Sequence, residues 1–494
     1  MSNLTRRRLL RWGGAALLAD LAGCATNPVF DTTLADAASA AAVPVSPPPF
    51  ASSRPALPPL FEDIERRTFD FFWSTGNPAN GMVPDRHPTS SPASIAAIGF
   101  ALTAYVIGVD RGYITRDQAR ARTLATVRFF RNAPQGPQAR GMSGHKGFFY
   151  HFLDMRTGVR SGRSELSTVD TALLVGGLLH AQAYFDTAHP DELEIRNGVD
   201  AIYWRIDWKW AQVRGQFISM GWSPEKTFIP HDWQGYNEAM LVVLLALGSP
   251  THPVEDSAWS AWSESYRGAW GRFMGYEHLS FAPLFGHQYS HVWVDFRGIR
   301  DDYMRRRDLD YFENSRRATL AQHAYAIANP LRWKAYGEEI WGLTACDGPA
   351  DATHSYLGES RQFHTYTARG PGQRDDGTLA PTAALGSIAF APEICAPAAQ
   401  AMKRDYGAHI LGRHGFIDAF NPSFDFDDLP PKYGRRIPGV GWIAPQYLGI
   451  DQGPIVAMLE NWRSGLIWRV MRTNPHIVRG LRRAGFTGGW LDSA

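Results

Sequence analysis

The feature that most constrains the fold is a succession of long helical stretches, separated by loops rich in glycine and aromatic residues. The first stretch begins at Phe61, where Phe61, Ile64 and Phe71 recur at helical spacing. Residues 115–118 form a capping box that starts another helix. Further helices are predicted at residues 94–108, 167–185, 191–204, 235–247, 257–273, 308–328, 332–340, 382–404 and 454–471. Since few runs alternate as strands do, the sequence predicts a mainly α fold, with a short hairpin at residues 147–162.

Length and charge bound the function classes that fit this chain. Its 494 residues, 44% of them hydrophobic, are enough to bury a large core. The 50 basic and 48 acidic residues nearly cancel, so the chain has no basic field that would attract nucleic acid. Beyond the amino terminus, the longest apolar run, residues 239–247, is too short to cross a bilayer. Cys346 and Cys395 are expected either to pair or to stay buried as small apolar groups.

The amino terminus is typical of an export signal. Consecutive arginines at residues 6–8 precede a short apolar segment at residues 12–21, as in a twin-arginine signal. Leu21-Ala22-Gly23-Cys24 is similar to a bacterial lipobox, which predicts that residues 1–24 are a signal and that Cys24 carries lipid. The alternative is an ordinary cleaved signal, which Asp20 within the apolar segment favours.

A change of composition separates this signal from the rest of the chain. Residues 25–58 are rich in Ala, Pro and Ser, a composition that forms no packed core and is typical of a tether. Residues 59–494 are expected to form one folded domain. A lipidated tether would hold this domain at the periplasmic face or at the outer membrane.

Residues 286–297 alternate aromatic rings with hydrogen-bonding side chains and contain almost no aliphatic filler. A hydrophobic core is built mainly of Leu, Ile and Val, so this composition indicates a polar ligand held between ring faces and charged groups. A sugar fits that description.

Two histidines in this stretch allow a second interpretation. On a helix, the four-residue spacing of His287 and His291 would place both imidazoles on one face, as a zinc site requires. Gly286, Val292 and Val294 favour an extended loop instead. We therefore expect no metal and favour hydrogen bonds to sugar hydroxyls, with a purely structural role as the alternative.

Three further blocks share the character of residues 286–297, namely 341–349, 375–387 and 449–454. The four blocks, in this order, resemble the glucoamylase-like bacterial proteins related to glycoside hydrolase family 144, the endo-β-1,2-glucanases. The resemblance extends over residues 58–488. It implies that residues 59–494 form an (α/α)6 toroid with short β-hairpins in its loops, and that the domain hydrolyses β-1,2-glucan with inversion and without a metal or organic cofactor.

Hydrolysis of a glycosidic bond needs one carboxylic acid that protonates the leaving oxygen and one carboxylate that activates water. Glu238 is the predicted acid because it enters an apolar helix directly after a loop that carries Trp233 and Tyr236. Burial beside these rings is expected to raise its pKa. The alternative is that Glu238 only complements the helix dipole.

The base is sought among four other carboxylates and stays open at this stage. Asp170 and Glu165 lie at the start of a very apolar helix, where Ser167 and Asp170 also fit an N-cap followed by an acidic third position. Asp376 and Asp451 lie in glycine-containing blocks that match the family, and glycine lets the backbone approach a ligand closely. Asp-Gly is equally a common turn.

Aromatic and hydrogen-bonding side chains in these loops are the predicted substrate contacts. An indole face stacks on the apolar face of a pyranose while its N–H binds a hydroxyl. The predicted contacts are Trp233, Tyr236, His287, Gln288, His291, Trp293, Asp295, Arg297, Asp347, Trp442 and Gln452.

The sequence therefore predicts a lipid-anchored glycoside hydrolase that acts within chains of β-1,2-glucan and has a neutral glucan as its partner. Three alternatives within the enzymes are an exo-acting glucosidase, an α-glucan hydrolase and a transglycosylase. A fourth alternative, from another class, is a lipoprotein that captures glycans without cleaving them. Several loop carboxylates occur together with the aromatic platforms, which favours an enzyme because capture alone needs mainly the platforms.

Overall fold

The computed structural model describes residues 56–494. The predicted signal, its Cys24 and the tether before residue 56 lie outside the described residues. Within residues 56–494 no helix has both the length and the apolar character needed to cross a membrane.

Fifteen α-helices dominate the described part of the chain. In chain order they are α1 (Pro59–Thr75), α2 (Ile95–Asp110), α3 (Arg116–Asn132), α4 (Thr168–Tyr184), α5 (Pro190–Trp204), α6 (Met240–Gly248), α7 (Ser257–Glu264), α8 (Phe285–Trp293), α9 (Asp302–Arg305), α10 (Tyr311–Ala328), α11 (Pro381–Leu385), α12 (Pro392–Ile410), α13 (Gly449–Arg463), α14 (Leu466–Met471) and α15 (Pro475–Arg483). A short 3-10 helix, Gly489–Ser493, ends the chain.

Six of these helices, α2, α4, α6, α8, α11 and α13, form an inner ring. Every residue of α6, α8 and α11 is buried, whereas α1, α3, α5, α7, α10 and α12 each expose one face to solvent. Neighbouring inner helices pack side by side, and α13 packs against α2, which closes the ring. Gln288 joins α8 to α11 by donating from Nε2 to the carbonyl oxygen of Ala383 at 3.0 Å. The predicted (α/α)6 toroid is confirmed, and its apolar core lies between the two rings.

The contact between α2 and α4 depends on two glycines. A Cβ added at Gly99 would stand 2.2 Å from the carbonyl oxygen of Leu173, and a Cβ added at Gly177 would stand 2.0 Å from that of Gly99. Only glycine permits this approach, because any side chain would overlap the opposing backbone.

Side chains fix the starts of the helices as the sequence predicted. The Ser167 hydroxyl accepts a hydrogen bond from the Asp170 amide at the start of α4, and Ser94 caps α2 in the same way through Ala97. Thr115 and Gln118 form a complete capping box at α3. These caps satisfy amides that have no partner within the helix.

Short strands decorate the loops and form nine small antiparallel sheets in the described residues. The strands are β1 (Arg86–His87), β2 (Ala93–Ser94), β3 (Gly144–His145), β4 (Phe148–Phe149), β5 (Phe152–Leu153), β6 (Leu166–Ser167), β7 (Gly221–Ser223), β8 (Thr227–Phe228), β9 (Trp270–Phe273), β10 (Tyr276–Leu279), β11 (Ala345–Cys346), β12 (Ala352–Tyr356), β13 (Glu359–Phe363), β14 (Thr367–Ala368), β15 (Leu411–Gly412), β16 (Gly415–Phe416), β17 (Phe420–Asn421), β18 (Arg435–Ile437), β19 (Gly441–Ile443) and β20 (Tyr447–Leu448). Most pairs are local, but β1 pairs with β20, with Arg86 opposite Leu448, and so joins the two ends of the ring.

The predicted hairpin at residues 147–162 is only partly present. Leu153 pairs with Arg160, and the Gly158 amide donates to the carbonyl oxygen of Asp154, so the expected turn forms. The two strands of this segment pair with strands outside it, β4 with β3 and β5 with β2.

Residues 286–297 are mainly helical, and the prediction of an extended loop was wrong. Most of this stretch is α8, which is buried on every side and therefore lacks the polar face by which a surface helix is recognised. The glycine and β-branched residues in the stretch do not outweigh this tertiary packing.

Other predicted helices were too long. The helix predicted at 257–273 ends at Glu264 and gives way to the hairpin of β9 and β10. The segment 332–340 forms turns, because Arg332 and Ala335 adopt left-handed backbone conformations that a helix excludes. The helices predicted at 382–404 and 454–471 are each divided in two, as α11 with α12 and as α13 with α14.

The two described cysteines, Cys346 and Cys395, are both buried and both free thiols. Of the two outcomes that the sequence left open, the structure therefore contains the buried small groups and not the disulfide.

We expect Gly99→Ala to lower the free energy of unfolding by about 1–3 kcal/mol, since the added methyl group would force α2 away from α4. Chemical denaturation measures this loss. Gly337→Ala is the matched control, because no atom of the described residues lies within 4 Å of a Cβ there, and we expect a change within about 0.5 kcal/mol. Equal stabilities of the two variants would contradict the backbone contact.

Candidate active site

Four inner helices bring polar side chains to one end of the ring, at or near their amino-terminal turns. We call this end the N-terminal rim and define it by Asp170 of α4, Glu238 just before α6, Tyr289 of α8 and Asp451 of α13. The Tyr289 hydroxyl donates to the carbonyl oxygen of Ile450 at 3.3 Å. Burial and the nearby charges of Asp451, Glu238 and Asp170 raise the pKa of the Tyr289 phenol well above its ordinary value. The ring thus gathers three of the five predicted catalytic carboxyls around one tyrosine.

Glu238 is a buried carboxyl without a counter-ion. Its side chain has 3% of its surface exposed, and its Oε2 atom has no hydrogen-bond partner among residues 56–494. Burial raises the pKa of Glu238 to about 8, with a smaller contribution from the charge of Asp170. The Ser290 hydroxyl donates to the Glu238 carbonyl oxygen at 2.9 Å and fixes the backbone that carries the acid. Glu238 therefore holds its proton at neutral pH, as a general acid must.

Asp170 lies in a different electrostatic environment from Glu238. The Ser167 hydroxyl donates to its Oδ2 at 2.5 Å, and the Nε2 atom of His151 lies 3.7 Å from its Oδ1. Burial raises the pKa of Asp170, while the charge of His151 and the Ser167 hydroxyl oppose that rise. The other ring nitrogen of His151 bonds to Glu165 Oε1 at 2.8 Å, so one imidazole bridges two carboxyls that the sequence predicted as catalytic.

A second group of carboxyls surrounds Asp451. The carboxyls of Asp418 and Asp451 interact directly, and neither Asp418 Oδ1 nor Asp451 Oδ2 accepts a hydrogen bond from a donor group of the described chain. Burial and the charge of Asp347 raise the pKa of Asp418, and burial with the charge of Asp418 raises that of Asp451 well above its ordinary value. Two buried carboxyls in contact hold one proton between them, because both cannot ionise together.

Asp347, a predicted substrate contact, joins this second group. Its amide donates to Asp418 Oδ2 at 2.9 Å, and its side chain accepts from Arg86 at 3.0 Å. Arg86 also contacts Asp85, which extends the polar network towards the β1 strand.

Asp376, the fifth predicted catalytic carboxyl, is not part of the N-terminal rim. It forms a two-pronged ion pair with Arg369, at 2.8 and 2.9 Å, and both side chains are fully buried. It also accepts from the amides of His364 and Thr378. Although burial opposes it, Arg369 holds the pKa of Asp376 below its ordinary value. With both carboxylate oxygens bonded within the protein, Asp376 organises the loop, and a role in catalysis stays a prediction.

The predicted contacts on α8 are buried among the helices. His287, Gln288, His291 and Trp293 are each at most 1% exposed, and their contact with a sugar stays a prediction. Gln288 binds α11, His291 Nε2 bonds to the Ser315 hydroxyl, and the Trp293 indole donates to Thr103. Burial lowers the pKa of His291 to about 3 and that of His287 well below its ordinary value. These side chains join the helices of the ring.

Most of the remaining predicted contacts are likewise internal. The indoles of Trp233 and Trp442 donate to Thr168 and to the Tyr433 carbonyl, and the Gln452 amide donates to the Phe416 carbonyl. Tyr236 lies within hydrogen-bond distance of the Ser315 hydroxyl. Asp295 forms ion pairs with Arg297 and Arg472. All of these side chains except the arginines are buried, and their contact with substrate stays a prediction.

Several polar residues of the site were missed from the sequence: Asp85, Arg86, His151, Tyr289, Tyr366 and Asp418. Asp418 has a signal of its own, as a lone carboxylate in the apolar run Phe416-Ile417-Asp418-Ala419-Phe420. A charge in such a run is rarely buried without a function or a partner. Tyr289 lies in the block 286–297 that the sequence singled out, and the other four have no local signal.

No cluster of three or more His, Cys, Asp and Glu side chains in the described range has an arrangement that would hold a metal ion.

Comparison with known proteins supports a carbohydrate-active family. A family model described as "Glycoamylase: Putative glucoamylase" matches residues 230–475. The crystal structure of a glucoamylase of the same description from Bacteroides uniformis superposes with a TM-score of 0.75 at 32% identity, covering 87% of this chain and 98% of that one. The endo-β-1,2-glucanase from Chitinophaga pinensis, solved with sophorotriose and glucose, gives a TM-score of 0.73 at 27% identity and covers 87% and 98%.

A curated relative has a related but different name. It is the exo-β-1,2-glucooligosaccharide sophorohydrolase (non-reducing end) of Parabacteroides distasonis, 28% identical over 459 residues. The match covers 86% of this chain but only 57% of that protein's length.

Proposed function

Because the chain belongs to the glycoamylase family, we propose that it is a glycoside hydrolase that cleaves β-1,2-linked glucan with inversion. The observation that carries this proposal is Glu238, an unpaired buried carboxyl with a pKa of about 8 beside Asp170. Inverting hydrolysis requires two groups, a carboxylic acid that keeps its proton and a carboxylate that is ionised. Two relatives named for β-1,2-glucan substrates support the choice of linkage.

The roles of the two groups follow from their surroundings. Glu238 donates its proton to the glycosidic oxygen as the bond to the anomeric carbon breaks. Asp170, kept ionised by His151, accepts a proton from the water that attacks that carbon from the opposite face. The other proposed bases are less suited, because Glu165 holds His151 and Asp451 shares a proton with Asp418.

We propose that the chain acts within glucan chains, as the solved endo-β-1,2-glucanase is named to do. The sophorohydrolase relative supports exo action as the second candidate, with disaccharide release from the non-reducing end. Among the remaining alternatives, α-glucan hydrolysis has the description of the family and of the Bacteroides uniformis structure as glucoamylase in its favour, whereas transglycosylation and capture without cleavage have no support from the relatives named above.

Incubation with linear β-1,2-glucan, with starch in parallel, tests the function. We expect a mixture of β-1,2-linked oligosaccharides early in the reaction and no cleavage of starch. In Glu238→Gln we expect kcat to fall by about 10²–10⁴-fold, because the amide cannot protonate the leaving oxygen. Product analysis by chromatography measures both results.

Glu264→Gln, at an exposed position on α7, is the control and should keep full activity. Early release of disaccharide alone would replace the endo proposal by the exo alternative. Cleavage of starch alone would contradict the linkage, and binding of glucan without turnover in the wild type would contradict the enzyme.

We also propose that the protein is exported and held at the periplasmic face or outer membrane by lipid on Cys24, for which the lipobox-like sequence is the support. Metabolic labelling with a radioactive fatty acid tests this. We expect label in the wild type and none in Cys24→Ser, because only the thiol accepts the lipid. Equal labelling of the two would contradict the anchor.

A further inference from the structure

We infer that His151 is a positioning residue that keeps Asp170 ionised beside the protonated Glu238, an inference that rests on the proposed hydrolase function. In the proposed reaction His151 contacts neither the glycosidic bond nor the attacking water. It acts through the two carboxyls that it bridges.

The backbone and the ring of His151 are held on several sides. Its amide donates to the Glu165 carbonyl at 2.9 Å, and its carbonyl accepts from the Ile95 amide at 3.2 Å. The imidazole stacks on Phe152 with ring centroids 3.9 Å apart. The ring therefore has one orientation, with Nδ1 towards Glu165 and Nε2 towards Asp170.

The charges around this ring favour the imidazolium. Burial lowers the pKa of His151, but the charges of Asp170 and Glu165, with a smaller contribution from Asp85, outweigh it and raise the pKa to about 9. The cation donates to Glu165 at hydrogen-bond distance, 2.8 Å, and lies 3.7 Å from Asp170, the distance of an ion pair. Glu165 thus holds the imidazole in place, and the positive charge of the imidazole acts on Asp170.

Asp170 and Glu238 differ in the cations that face them. The charged and titratable groups facing Asp170 are His151, Glu165, Glu238 and Tyr289, and of these only His151 is a cation. An opposite charge at this range lowers the pKa of an aspartate by about 1–3 units. Among residues 56–494 no cation contributes to the pKa of Glu238, and the charge that does is that of Asp170, which opposes ionisation.

This asymmetry decides where the protons reside. The charges around these groups favour a proton on His151 and a proton on Glu238. Without the imidazolium, Asp170 would lie buried beside the negative charge of Glu165 and would compete with Glu238 for a proton. Asp170 would then be protonated, and could not act as the base, in the lower part of the pH range in which Glu238 acts as the acid.

Rates of β-1,2-glucan hydrolysis by His151→Asn, measured from acid to alkaline pH, test the inference. We expect the acid limb of kcat/KM to move to higher pH by about one unit or more. We expect kcat to fall while KM changes by less than about threefold, since the substrate contacts are retained. Glu165→Gln should move the acid limb less than His151→Asn does, because His151 loses its anchor but Asp170 also loses a neighbouring negative charge that raises its pKa. Added imidazole should restore part of the rate of His151→Ala.

His252→Gln, at an exposed histidine outside the site, is the control and should leave the profile unchanged. An unshifted acid limb in a folded, active His151→Asn would overturn the inference.

Nuclear magnetic resonance titration of His151 in the wild-type protein gives a test that needs no variant. A ring that is charged at neutral pH and titrates near 9 supports the inference, and a neutral ring overturns it. Inactivity of the wild type on every glucan would refute the proposed function, whereas this titration would still report the charge of the ring.

Discussion

Burial of the inner helices on all sides is the constraint on which the rest of the structure depends. A polar group buried within the ring has no water to bind. It must form hydrogen bonds to another part of the protein, because a buried polar group without a partner destabilises the fold. Gln288 and Trp293 meet this demand by joining neighbouring helices, and His291 does so through Nε2 alone. At the N-terminal rim the demand is left unmet, because Glu238 Oε2 and Asp451 Oδ2 have no partner in the described part of the chain. Unpaired buried carboxyl oxygens are the clearest sign of where a ligand with hydroxyl groups belongs.

The same burial divides the carboxyls of the site by role. Glu238, which has no cation beside it, is held neutral, whereas Asp170 has a helix start, a hydroxyl and an imidazolium to favour its charge. Asp376 shows the third outcome, in which a fully paired carboxylate stabilises a loop. The partners of each acid, and not its proximity to glycine or to aromatic residues, therefore decide which carboxyl is favoured as an acid and which as a carboxylate.

Local sequence patterns predicted those features of the fold and the site that depend only on neighbouring residues. The cap formed by Ser167 and Asp170 and the place of Glu238 at the start of an apolar helix required only the neighbouring residues. The helix α8 was missed because its polar residues have distant partners, which gives it no polar face to recognise. His151 was missed because no local pattern indicates that its ring bridges Glu165 and Asp170, and the partners of Asp418 lie far from it in sequence. The (α/α)6 ring itself was expected from family resemblance, since no periodicity in the sequence specifies how many helices close it.

The account depends most directly on a protonated Glu238 at neutral pH. Infrared difference spectroscopy of the wild type against Glu238→Gln, recorded over a range of pH, detects the carbonyl stretch of that single carboxylic acid. We predict that the band is present at neutral pH and disappears with a midpoint near 8. Disappearance of the band near 4.5, the ordinary value for a glutamate, would contradict the account.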